Sequence, residues 1–150
     1  MGNVGERISG EMDERLFERR GHGVLSLASG DEGYGTPVSY GYDPDHRHCV
    51  MHLVVDESSR KRELIRTTEA ATVTTYVCRD DGTWGCVIAE GSLRELSDAE
   101  VAGWGAAVFF GQAASTIPDT RQKDEFETAW YALEVDRITA RGDGGDEELT

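Results

Sequence analysis

The strongest constraint on this chain is a recurring pattern of short apolar or alternating runs, each ended by residues suited to a tight turn. Ala71 to Val77 (ATVTTYV) alternates apolar and polar side chains, the signature of a strand with one buried face. Val24 to Ala28 (VLSLA) leads into GDEGYG, rich in residues that accept positive φ, and a second strand follows over about Thr36–Tyr42. Tyr42-Asp43-Pro44-Asp45 turns the chain into a third strand, about His48–Val55. Arg79-Asp80-Asp81-Gly82 separates the 71–77 strand from a long one, Trp84–Leu96, where Gly85 and Gly91 mark bulges or close approaches. A final strand runs from Phe126 to Ile138. Consecutive strands joined by tight turns pair antiparallel, because parallel pairing needs long crossovers.

Three helices punctuate these strands. Residues 11–20 (EMDERLFERR) place acids early and arginines late, as the helix dipole favours, and Gly21 and Gly23 stop the helix. Ser58-Ser59 precede a helix over Arg60-Lys61-Arg62-Glu63-Leu64-Ile65-Arg66. Ser97-Asp98 caps a third that carries Val101, Trp104, Val108 and Phe109. The order is α-β-β-β-α-β-β-α-β. At 150 residues the chain supports one hydrophobic core. The expected fold is mainly β with peripheral helices, six antiparallel strands burying one face by closing toward a barrel. One domain spans 1–140, and RGDGGDEELT (141–150) is expected to be an acidic, disordered tail.

Composition narrows the partners. The formal charge is −14, from 29 acids and 15 bases, and Lys61 and Lys123 are the only lysines. An acidic shell repels itself at low salt and is tolerated when salt screens it, which suggests a salt-loving source. Nucleic acid is not an expected partner, because phosphate binding needs a basic face. No run of eighteen apolar residues is present, so no spanning helix is expected, and MGNVGERISGEMDERLFERR lacks the apolar stretch of a secretion signal. The cytoplasm is the expected location. Cys49, Cys78 and Cys86 form no CxxC pair and read as small core residues.

Chemistry is sought where the charge changes sign. Arg60-Lys61-Arg62 follows two serines in a strongly acidic chain. Bases in a first turn oppose the helix dipole, so helix stability alone would not select them. Free N–H donors, serine hydroxyls and cationic side chains together suit a phosphate. Thr36-Pro37-Val38-Ser39-Tyr40-Gly41-Tyr42 reads by itself as an edge strand, since proline cannot donate to a ladder. Trp84 suits either a ring system or an interface. His46, His48 and His52 fall on even positions, but His46 sits beside a turn and His48 and His52 are far apart along an extended strand. No metal site is expected. His22, between glycines, reads as a surface turn residue.

The succession VLSLAS, TPVSYGYD, MHLVVDESSRK, ATVTTYV and CVIAEGSLREL resembles the pyridoxamine 5′-phosphate oxidase-like split-barrel flavoproteins, in particular the branch of nitroimidazole-resistance proteins. The resemblance implies a split barrel with FMN at a homodimer interface. It places the phosphate on Ser58, Ser59, Arg60 and Lys61, and the isoalloxazine edge along Pro37, Val38, Ser39 and Tyr40. His52 is implied near the flavin as the candidate catalytic group, and Trp84 on a strand facing the partner's cofactor. Ser59 stands where the family commonly has glycine, and no C-terminal pyridoxine-binding residues are recognisable, which speaks against vitamin B6 oxidation. The implied activity is reduction of a small organic molecule by nicotinamide-derived electrons. The alternatives are a non-catalytic flavin-binding module, or a split barrel that holds deazaflavin F420 or haem.

Overall fold

The computed structural model describes residues 6–7, 10–55, 60–112 and 127–142. A two-residue strand, β1 (Glu6–Arg7), precedes α1 (Gly10–Arg20), which ends at Gly21, whose φ of 66° is left-handed. β2 (His22–Ser29) reverses through Gly30-Asp31, with Gly30 at φ 60°, into β3 (Glu32–Ser39). His22 is therefore the first residue of a strand, paired with Ser39, and not a turn residue. The expected strand 36–42 is divided at Tyr40. Its N–H donates to the Gly21 carbonyl (2.9 Å), its ring stacks on Phe17 (centroids 4.4 Å apart), and its hydroxyl donates to the Phe17 carbonyl (2.5 Å). These tertiary partners pull Tyr40 out of the ladder, leaving β4 (Gly41–Asp43) as a separate short strand.

The remaining elements are β5 (His48–Val54), α2 (Arg60–Thr67), β6 (Ala70–Cys78), β7 (Trp84–Glu95), α3 (Asp98–Glu100), a π-helical stretch (Val101–Gly105), α4 (Ala106–Gln112) and β8 (Thr128–Gly142). Ser97 caps α3 in a reciprocal capping box with Glu100. All strands pair antiparallel in the order β3-β2-β6-β7-β8-β5-β4, with β1 attached to β8. Eight strands are thus described where the sequence suggested six, because β1 and β4 are too short to leave a periodic signal. β8 continues to Gly142, pairing Arg141 with Cys86 and Gly142 with Gly85, so two residues assigned to the tail belong to the sheet. Residues 143–150 lie outside those described.

The two rims of the sheet, β3 and β4, are neighbours in sequence, yet no ladder joins them among the described residues. The sheet rolls without closing, which is the split expected of the fold. Its inner face carries the main core, with Leu25, Leu27, Met51, Val73, Val87 and Leu133 from the strands. Leu16 and Phe17 of α1 and Leu64 and Ile65 of α2 join it. A second apolar layer lies outside β5 and β8, where Val50 and Ala132 meet Leu96 and Phe109 beneath the helical segment. Val101, Trp104, Val108 and Trp130 pack around that layer. The bulge at Glu90/Gly91 lets β7 cross β8 closely: a Cβ on Gly91 would lie 1.9 Å from the Glu134 carbonyl oxygen.

Only Cys49 of the three cysteines is buried; Cys78 is exposed and Cys86 half-buried on the outer face. The reading of all three as core residues fails for the two on β6 and β7, whose strand phase points them outward. No described helix is long and apolar enough to cross a membrane.

Candidate functional site

Register builds a groove on the outer face of β2, β3 and β6. Leu25 and Val73 point inward, so their neighbours Val24 and Thr74 point out, and Val24 pairs with Pro37 on one side and Thr74 on the other. Against this face stands the C-terminal end of α1. The groove has a volume of about 520 Å³ and is lined by Arg20, His22, Val24, Pro37, Tyr76 and Cys78, among others. That volume falls within the ~300–1,000 Å³ of small-molecule sites. Its wall is apolar and open: Val24 is 39% exposed and Tyr76 62%.

One end of the groove is cationic and fixed in place. The Nη2 of Arg20 donates to the Tyr76 carbonyl (3.0 Å) and lies 3.3 Å from His22 Nε2. His22 Nδ1 lies 2.9 Å from the Arg20 carbonyl. A carbonyl only accepts, so Nδ1 carries the proton and Nε2 accepts from Arg20. The imidazole thereby holds the guanidinium against β6. Arg20 Nε is buried and has no hydrogen-bond partner among the described residues. A buried donor left unmet costs about 1–3 kcal/mol, so an acceptor supplied by a ligand would be favoured there.

The residues singled out from sequence fall in several places. Pro37 lines the groove, whereas Val38, Ser39 and Tyr40 are buried, so their side chains do not form its surface. Burial pushes the Tyr40 phenol far above its ordinary range, and it stays a protonated donor. Arg60 and Lys61 stand in the first turn of α2; Ser58 and Ser59 lie outside the described residues. Trp84 opens β7 opposite Cys78, on the same outer face as Cys86. His52 stacks on Trp130 (centroids 4.2 Å apart) on the outer face of β5 and meets Phe109 edge-on. It is not a lining residue of the groove. His48 stacks on Trp104 (4.7 Å), while His46 is bonded to Asp43 (2.7 Å) in the turn.

Arg20 and His22 were missed from sequence because helix-end and turn roles accounted for them. The hairpin register could have found them: counting back from Gly30-Asp31 places His22 beside Ser39, next to Pro37. A flavin, the cofactor implied by the resemblance, fits these residues on the unmet Arg20 donor. A flat aromatic ring with acceptors on one edge could satisfy it while lying on the Val24–Pro37–Tyr76 wall.

Solved structures with a similar fold cover nearly all of the chain. A FAD-binding protein from Mesorhizobium loti aligns at 15% identity with a TM-score of 0.73, covering 95% of this chain and 100% of that one. A candidate 5-nitroimidazole antibiotic resistance protein from Bacteroides thetaiotaomicron aligns at 12% identity, TM-score 0.71, covering 96% and 93%. A FAD- and heme-binding protein from Mycobacterium smegmatis aligns at 16% identity, TM-score 0.62, covering 94% and 77%. At these identities the likeness establishes the fold. Among curated proteins no sequence matches the chain. Residues 10–142, nearly the whole of the rolled sheet and its helices, match the pyridoxamine 5′-phosphate oxidase family, and the chain belongs to that family.

Proposed function

We propose that the protein is an FMN-dependent oxidoreductase that reduces a small oxidised organic molecule, such as a nitro compound or a quinone, with electrons from a nicotinamide cofactor. The observation that carries this reading is the unmet Arg20 donor in a groove with an apolar wall beside Pro37. Structural relatives that bind FAD, or FAD and heme, add support for a flavin. When bound, the flavin supplies the electron chemistry. The chain anchors and orients it. Arg60 and Lys61 neutralise the phosphate at the head of α2, with Ser58 and Ser59 as further donors. Pro37 and the backbone of β3 meet the ring, and Arg20 donates to its polar edge while His22 holds the guanidinium in place.

The reading includes a homodimer. By register Val24, Thr74 and Ile88 form one outward row, and Tyr76 and Cys86 the next, with Trp84 beyond. A second copy laid on this face would bury exposed Val24 and Tyr76 and roof the groove.

The visible spectrum of the purified protein tests the cofactor, and stopped-flow mixing with NADH or NADPH tests turnover. A yellow protein with stoichiometric FMN that is not reduced would be a binding module. Binding of F420 or haem without FMN would replace the cofactor assignment. Changing Arg60 and Lys61 together to alanine should weaken FMN binding by about two to four decades, since each charge-assisted contact contributes ~1.5–3 kcal/mol. Equilibrium dialysis measures this, and unchanged FMN retention would show the phosphate to be elsewhere.

A further inference from the structure

A second cavity, of about 230 Å³, opens at the end of the barrel where α2 lies beside the start of β8. It shares no lining residue with the groove and does not depend on the flavin reading. Its lining is mostly polar, with Arg62, Arg66, Glu95, Glu127 and Tyr131, and Val55 and Ala129 add apolar side chains. Arg62 and Arg66, four apart, share one face of α2. Arg62 Nη1 donates to Glu127 Oε1 at 2.8 Å, so those two charges are already matched.

Arg66 and Glu95 are not matched. Both line the cavity, and neither makes a hydrogen bond or ion pair with a described residue, each other included. The hydroxyl of the buried Tyr131, a residue that the β7–β8 register sets opposite Glu95, likewise has no partner among the described residues. Burial, and then the Glu95 carboxylate, push the Tyr131 phenol up, while Arg62 and Arg66 pull it down. A simple anion would meet Glu95, and a simple cation would meet Arg66. A molecule carrying both charges would satisfy each.

We propose that this cavity binds a small zwitterion of the α-amino acid type, with its carboxylate on Arg66 and the Tyr131 hydroxyl and its ammonium on Glu95. The space equals that of roughly seven or eight waters at ~30 Å³ each, which limits the ligand to a few heavy atoms. Val55 and Ala129 in the lining suit a short aliphatic side chain.

Calorimetric titration of the full-length protein with L-alanine, propionate, ethylammonium and FMN tests the proposal, with amide chemical shifts locating each ligand. Alanine should perturb Val55, Ala129 and Tyr131, and it should bind at least tenfold tighter than propionate or ethylammonium. Arg66→Gln and Glu95→Gln, both at exposed positions, should each weaken alanine at least tenfold with unchanged circular dichroism. Tyr131→Phe should weaken it less. Equal binding of alanine and propionate, or indifference to either charge-removing variant, would overturn the proposal. Displacement of alanine by FMN would also overturn it, by assigning the cavity to the cofactor. A colourless protein that still prefers alanine would support the cavity while removing the flavin reading.

Discussion

Gly41→Ala should loosen the helical layer that covers the outer face of β5 and β8. An ideal Cβ at Gly41 would lie 2.0 Å from the Val108 carbonyl oxygen and 2.7 Å from Phe109 Cα, both backbone atoms of α4. Real Cβ atoms keep about 3.0 Å, so α4 would have to withdraw by about 1 Å. No side-chain rotation can relieve a contact with backbone. The withdrawal would part Phe109 from Val50, Leu96 and Ala132. Overpacking of this kind costs about 1–3 kcal/mol. For a domain of this length each kcal/mol lowers the melting temperature by ~2–4 °C, so a drop of roughly 2–12 °C is expected. Thermal unfolding followed by tryptophan emission reads the right place, because Trp104 and Trp130 belong to this layer. Gly103→Ala is the control: its Cβ would have no atom within 4 Å, and removing a helical glycine should be neutral or stabilise by ~0.5–1 kcal/mol. A Gly41→Ala protein that melts with the wild type and keeps its emission spectrum would refute the close packing of β4 against α4.

Further outcomes follow from single contacts. Tyr40→Phe keeps the stack on Phe17 but leaves the buried Phe17 carbonyl without its donor, and should cost about 1–3 kcal/mol in calorimetry; unaltered stability would mean the bond contributes nothing. Hydrogen bonds from Arg94, joined by one from the Ser97 N–H, hold the Glu100 carboxyl down at about 2 against an ordinary 4.5. Because the folded value is the lower one, the contribution is present above 4.5 and is lost as pH falls through about 2. The gap in urea midpoint between wild type and Glu100→Gln should therefore shrink over that window, and a constant gap would count against the clamp. With 29 acids against 15 bases, melting temperature should rise with added KCl, and a fall would remove the salt-adapted reading of the acidic shell.

Strands whose signal is local were legible in the sequence. Ala71, Val73 and Thr75 alternate inward along β6 as their spacing requires, and Ser97 caps its helix as a serine before acidic residues should. What escaped depends on distant partners. Tyr40 breaks its strand because Phe17, far back in the chain, takes its hydroxyl. Arg141 and Gly142 look like tail residues until β7 is there to pair with them. Pro37 lines the groove, and its sequence showed only an edge strand; the resemblance alone put it beside a cofactor. Arg20 was hidden by its service at a helix end, and His22 by two flanking glycines that suggested a turn. Cys78 was misplaced because buried free cysteine is the common case, and only strand phase reveals its outward direction.

The rim at β3 has a consequence for how molecules of this protein can meet. A foreign strand arriving along that border finds no amide proton at Pro37, and that of Tyr40 is already committed to Gly21. The opposite border, β4, offers three residues. Neither border offers another chain a long unbroken row of donors, which disfavours fibre-like growth.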